Sequence, residues 1–238
     1  MSRLDIHLDI GHLVAEKPAR SRVFDRHGID YCCGGKRTVE DACRDRGLDA
    51  TTVLAELEAL DTQDSANEVD PRQMTMTELA DHIEHTHHVY LRSELPRLQA
   101  LIDKVAGVHG ASYPWLEDVQ ATFANLVAEL EPHMLKEEQL LFPIIRELDR
   151  APVSPSFHCG SVTNPIRVME QEHDRAGQAL RRLRTLTDDF TAPEGACNTF
   201  RAMLDGLAAL EADTHQHIHK ETNVLFVRAS EAEARLRA

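Results

Sequence analysis

Two ten-residue phrases in this chain fit one template: "HMLKEEQLLF" at 133–142 and "HIHKETNVLF" at 217–226 both read H-x-x-K-E-x-x-x-L-F. Each sets a histidine and a glutamate four residues apart, His133 with Glu137 and His217 with Glu221, which on a helix brings both side chains to one face. One such pair carries no weight, because fourteen histidines and twenty-one glutamates in 238 residues give about one by chance. His12 and Glu16 also fit, and read as an ordinary surface pair. Chance does not supply the register. His88 stands 45 residues before His133 and His173 stands 44 before His217, while the steps from His88 to His173 and from His133 to His217 are 85 and 84. The pattern reads as a duplicated helical hairpin, in which each half gives one helix a His and the next a His-x-x-x-Glu.

Helical periodicity puts these six polar residues on seams that are otherwise apolar. An isolated buried carboxylate or imidazolium costs several kcal/mol unless it is paired or coordinates a metal. A network of His–Glu pairs is one solution. Four imidazoles and two carboxylates also form a ligand set for two first-row transition metals, and carboxylates that bridge two cations suit iron or manganese. Structural zinc fits less well, since it usually takes four N/S ligands in a closed shell.

The elements that must carry these groups follow from the seams. Four periodic segments, roughly 75–106, 114–149, 162–189 and 195–229, are divided by "GVHGASYP", "RAPVSPSFHCGSVTNP" and "TAPEG". The seams run through Leu91, Leu95, Leu98 and Ile102; Val119, Phe123, Leu126 and Leu130; Ile166, Met169, Leu180 and Leu183; and Phe200, Met203, Leu207 and Leu210. Few aromatic residues and no long apolar–polar alternation argue for an all-α chain, an antiparallel four-helix bundle preceded by a small helical domain. The polar stretch "DTQDSANEVDPRQ" at 61–73 reads as a linker between a small domain at 1–70 and the bundle at 74–238. A formal net charge of -14 argues against a nucleic-acid partner. No apolar run approaches the roughly 20 residues that span a bilayer, and the start lacks a secretory pattern, so the expected setting is the cytoplasm with reduced cysteines.

Other residues sort by position. His82, His87, His215 and His219 lie about 100° or more off their seams and read as solvated surface, while His85, about 60° off, is a reserve ligand. Glu129, one turn before His133, and Glu172, beside His173, are candidates to orient a ligand. In "DYCCGGK" the adjacent Cys32 and Cys33 stand before Gly34 and Gly35, which permit φ > 0 and close backbone approach, so an exposed turn with a thiol function is expected. Cys43 and Cys197 sit in helical text and read as core. Pro132 and Pro143 flank the first phrase, where a local helix irregularity is expected.

The two phrases, with "VMEQEHDRAG" between them, resemble those of hemerythrin-like di-iron domains of the RIC family, and "VFDRHGIDYCCGGK" at 23–36 resembles that family's small leading domain. The resemblance covers almost the whole chain. It implies two iron ions in a non-haem di-iron centre, oxo-bridged when oxidised, held by His88, His133, Glu137, His173, His217 and Glu221. That set has one imidazole fewer than the classical oxygen-carrying hemerythrins, which implies open coordination and a looser hold on iron. The implied function is repair of iron–sulfur clusters after oxidative or nitrosative stress, by iron donation or by processing nitric oxide, including nitric oxide reductase activity. Its partners would be damaged iron–sulfur proteins, and nitric oxide or O2 as small ligands. A sensor or carrier of O2 or NO is the alternative. The thiols Cys32 and Cys33 would meet a partner or handle metal or nitrosyl species.

Overall fold

The computed structural model describes residues 4–61, 70–153 and 155–237; most of the expected linker lies outside the described residues. The chain is all-α, with an isolated bridge between Asp9 and Thr38 as its one described β pairing. It divides into two compact units, one formed by 1–80, 145–156 and 215–238, the other by 81–144 and 157–214.

The second unit is the body of the four-helix bundle. Its helices are α6 (Val89–His109), α7 (Trp115–Lys136), α9 (Thr163–Leu186) and the part of α10 (Asn198–His219) that runs to Thr214. The seams read from the sequence are buried from Leu91 to Val105, Val119 to Leu130, Ile166 to Leu183 and Phe200 to Leu210, but Leu140, which the same count places on the second seam, is exposed because it lies in a π-turn that shifts the phase. Gly206 lets α10 approach closely, since a Cβ there would lie 2.5 Å from Leu98 Cδ2. Between α5 (Met76–Ile83) and α6 the helix widens into a π-turn at Glu84–His88, and α7 passes through another at Glu137–Leu141 into α8 (Phe142–Arg150). A π-turn inserts a residue into the helical count and so rotates the following side chains by about 100°.

The first unit contains α1 (Ile10–Glu16), α2 (Ser21–Arg26), α3 (Val39–Arg46) and α4 (Ala50–Asp61). It also contains the end of α10, a third π-turn at Lys220–Leu225, and α11 (Phe226–Arg237). Ile10, Leu13, Phe24, Tyr31, Cys43 and Leu57 form its core, so Cys43 is buried as expected. Thr38 caps α3 by accepting from Asp41 N at 3.1 Å, and Gly47 closes that helix at φ +66°. Arg20 is buried and joins α1 to α4: it donates to Leu13 O at 3.0 Å and makes a two-pronged pair with Asp61 at 3.1 and 2.6 Å.

Candidate metal centre

All six residues singled out by register are buried, the carboxylates of Glu137 and Glu221 completely. Within the bundle unit, His88, His133, Glu137 and His173 converge. Glu137 splays its two oxygens: Oε2 lies 3.4 Å from His88 Nε2, while Oε1 lies 3.3 Å from His133 Nε2 and 3.9 Å from His173 Nε2. The Nε2 atoms of His133 and His173 are 3.1 Å apart.

The far sides of these rings decide which nitrogen can serve a metal. His88 Nδ1 lies 2.7 Å from Glu138 Oε1, and His133 Nδ1 lies 2.9 Å from Glu172 Oε2. A carboxylate accepts, so each Nδ1 carries the proton and each Nε2 presents its lone pair inward. Arg92 grips both oxygens of Glu138 at 2.6 Å, and Lys136 pairs with Glu172. Hydrogen bonding to His133 holds Glu172 down at about 2, against burial and with the help of Lys136. Against burial, which would raise it, Arg92 and His88 hold Glu138 below the usual carboxylate range. Both remain charged acceptors at neutral pH.

Within the other unit, His217 Nε2 stands 3.0 Å from Glu221 Oε1. The residues around this pair bear on the cysteine turn. Asp30 Oδ1 accepts from the backbone N–H of Cys32, Cys33 and Gly34 at 3.1, 3.0 and 3.3 Å, and from the Cys32 thiol at 3.2 Å. The Cys33 thiol beside it, 3.7 Å away, together with burial pushes the Cys32 thiol well above the ordinary range. Asn223 Nδ2 reaches Cys32 O at 3.0 Å and Tyr31 O at 3.3 Å.

Several expectations change here. Glu172 does orient a ligand candidate, but Glu129 is exposed and faces Arg175 at 4.0 Å. Glu138 was missed; its one signal is the doubled glutamate of the first phrase. His87 and His219 are buried instead of solvated, and His215 is largely covered. The π-turn rotates His87 inward to Asp213 Oδ1 at 2.9 Å. Tyr31 covers His215 and His219 edge-on, and burial brings His219 down to about 4. His85 is exposed, with Nδ1 turned to Asp81 O at 2.6 Å, which removes it as a reserve ligand. Cys197 is exposed just before α10, not core. Cys32 itself is only 1% exposed while Cys33 beside it is partly exposed, and the glycines of the turn serve close approach: a Cβ on Gly34 would lie 2.6 Å from Asp30 O, and φ is positive instead at Gly28, Gly47, Gly160 and Gly195.

A buried bundle with inward imidazoles and carboxylates defines the class, and comparison agrees: residues 79–229 match the hemerythrin HHE cation binding domain, and residues 7–61 match a domain of unknown function, DUF542. The chain is 38% identical over 225 residues to the iron-sulfur cluster repair protein YtfE of Yersinia pseudotuberculosis serotype IB (strain PB1/+), covering 94% of this chain and 97% of that one. The same figures hold for the protein of that name from Yersinia pestis (strain Pestoides F). The chain therefore belongs to the RIC family of hemerythrin-like di-iron proteins. Its cofactor is a pair of non-haem irons, and the donor chemistry fits: imidazoles anchored through Nδ1 by charged carboxylates, beside fully buried glutamates, suit hard-to-borderline cations.

Proposed function

We propose that this protein repairs damaged iron–sulfur clusters by donating iron from a centre held by His88, His133, Glu137, His173, His217 and Glu221. Residues 74–238 would form the iron-holding bundle and residues 1–70 the thiol-bearing domain, with Cys32 and Cys33 meeting the damaged iron–sulfur protein. What most supports this reading is Glu137, whose two oxygens face different imidazole nitrogens as a bridging carboxylate would. Glu221 takes the equivalent role in the second phrase. With Glu137 and Glu221 as bridges and two imidazoles for each metal, the chain's own ligands would leave room for solvent, nitric oxide or O2. The iron pair supplies reducible metal with open coordination, while the protein supplies oriented imidazoles in a buried setting. Nitric oxide processing at the same positions would accompany repair.

A cytoplasmic setting belongs to this reading and is supported by five free cysteines, as a reducing compartment would keep them; separately, no described helix is long and apolar enough to cross a membrane. The test measures iron per chain and iron passed to an apo iron–sulfur protein. Reduced wild type should hold two irons and restore the acceptor, and Glu137→Ala should lose most bound iron and all transfer. A Glu137→Ala protein that keeps two irons would show the bridge to be misassigned. Two irons that never reach the acceptor would remove donation.

A further inference from the structure

The segment from His215 to Asn223 carries His217 and Glu221, and the same segment grips the cysteine turn. Gln216 Nε2 donates to the Tyr31 hydroxyl at 3.1 Å, His219 lies edge-on to the Tyr31 ring, and Asn223 closes the contact. The Asn223 amide donates to the carbonyl of Cys32, the carbonyl of the peptide that joins the two cysteines, as well as to Tyr31 O. Its Oδ1 is wedged between two glycines: a Cβ would meet it at 2.7 Å from Gly11 and at 2.5 Å from Gly35. Gly11 N donates to Gly35 O at 2.8 Å, so the start of α1 and the turn are themselves locked together.

We infer that Asn223 is a positioning residue that couples the Glu221-bearing π-turn to the cysteine turn, so that iron occupancy is read out in the reactivity of the Cys33 thiol. This rests on the reading of His217 and Glu221 as iron ligands. Asn223 follows Glu221 by two residues inside the Lys220–Leu225 π-turn, so a shift of the carboxylate moves the amide through two peptide units. Close packing on both sides of that amide turns a small shift into a displaced Cys32–Cys33 peptide, since packed interfaces transmit strain and do not absorb it. Cys32 is buried with its thiol on Asp30, which leaves the partly exposed Cys33 as the group whose reaction changes. Coupling of this kind is reciprocal: a ligand or modification at the turn must alter iron affinity by the same factor that iron alters the turn.

The experiment uses the full chain and iodoacetamide, with alkylation at each cysteine followed by peptide mass spectrometry, without iron and after iron loading. In wild type the Cys33 rate should differ between the two states by about five-fold or more, the lower range of measured couplings. Cys197, exposed and distant in sequence, should react alike in both. In Asn223→Ala the ratio should fall toward one while two irons still bind, and Cys33-alkylated wild type should lose iron to a ferrous chelator at a changed rate that the variant does not show. A merely structural role would move both rates together and leave their ratio. Should Asn223→Ala fail to fold, Asn223→Asp, which keeps the volume but removes the donor, decides by the same ratio. Two irons with equal Cys33 rates in wild type overturn the coupling alone, a preserved ratio in the variants overturns the role of Asn223, and a wild type that binds no iron overturns the iron reading and this one with it.

Discussion

An imidazole offers a metal one nitrogen, so whatever takes the other nitrogen sets its aim. Glu138 does this for His88 and Glu172 for His133, and each is itself held by a cation, Arg92 or Lys136. Such supporting carboxylates are worth about 10- to 100-fold in metal affinity. Glu138→Ala and Glu172→Ala should therefore weaken iron binding by that order with the fold retained, whereas Glu129→Ala, at an exposed site, should change nothing; competition with a calibrated chelator measures all three. Equal affinities across the set would show that the far ring nitrogens do not matter. The buried seats at 88, 133, 137, 173, 217 and 221 were legible because a polar residue in an apolar seam is conspicuous. Their supporters were less so. Glu138 looks like any surface glutamate, and only the approach of His88, fifty residues away in sequence in the π-turn before α6, gives it a role.

At the scale of elements, helix type and extent follow from periodicity and break residues, and the four long segments were legible for that reason. Of the three π-turns among the described residues, only the one in the first phrase was signalled, as the irregularity expected beside its prolines; the other two were not, because an inserted residue leaves no mark in composition. Pro132 and Pro143 do flank the π-turn at Glu137–Leu141, but Glu84–His88 and Lys220–Leu225 contain no proline, so proline is not their common cause. Among the misplaced histidines, His87 lies in such a turn, where counting at 100° per residue goes out of phase, whereas His215 and His219 lie in regular α10 and are covered by the Tyr31 ring, which a count along one helix does not see. In the small helices the decisive tie is Arg20, whose partner Asp61 sits at the end of α4. Against burial, Arg20 and then Lys17 hold the Asp61 carboxyl below its usual range. A carboxyl with a depressed folded value stabilises fully above its unfolded value near 4, and that contribution is lost as pH falls through the folded value. Asp61→Asn should thus cost about 2 kcal/mol at pH 7, discounted from a fully buried pair because Asp61 is partly exposed. The gap between wild type and variant in urea unfolding should close below pH 4. A gap that stays constant down to pH 2.5 would mean the carboxylate charge is not what matters.

The whole molecule carries a formal net charge of -14, with forty acidic residues against twenty-six basic ones. That excess repels nucleic acid, but it also draws cations. Under the proposed iron-donor reading this helps loading, because a negative field raises the local concentration of a divalent ion and speeds its capture. The effect reaches only about one Debye length, roughly 30 Å at 0.01 M salt and 8 Å at 0.15 M, so it should be strong at low ionic strength and largely screened near physiological salt. Departure is different: the bonds that hold an ion inside a buried shell are short-ranged and barely screened. Stopped-flow uptake of ferrous iron by the apo-protein should therefore slow several-fold or more between 0.01 and 0.2 M salt, while release to a chelator stays nearly constant. Uptake indifferent to salt would mean that entry into the buried shell, and not electrostatic capture, limits loading, and the acidic surface would then have no part in iron handling.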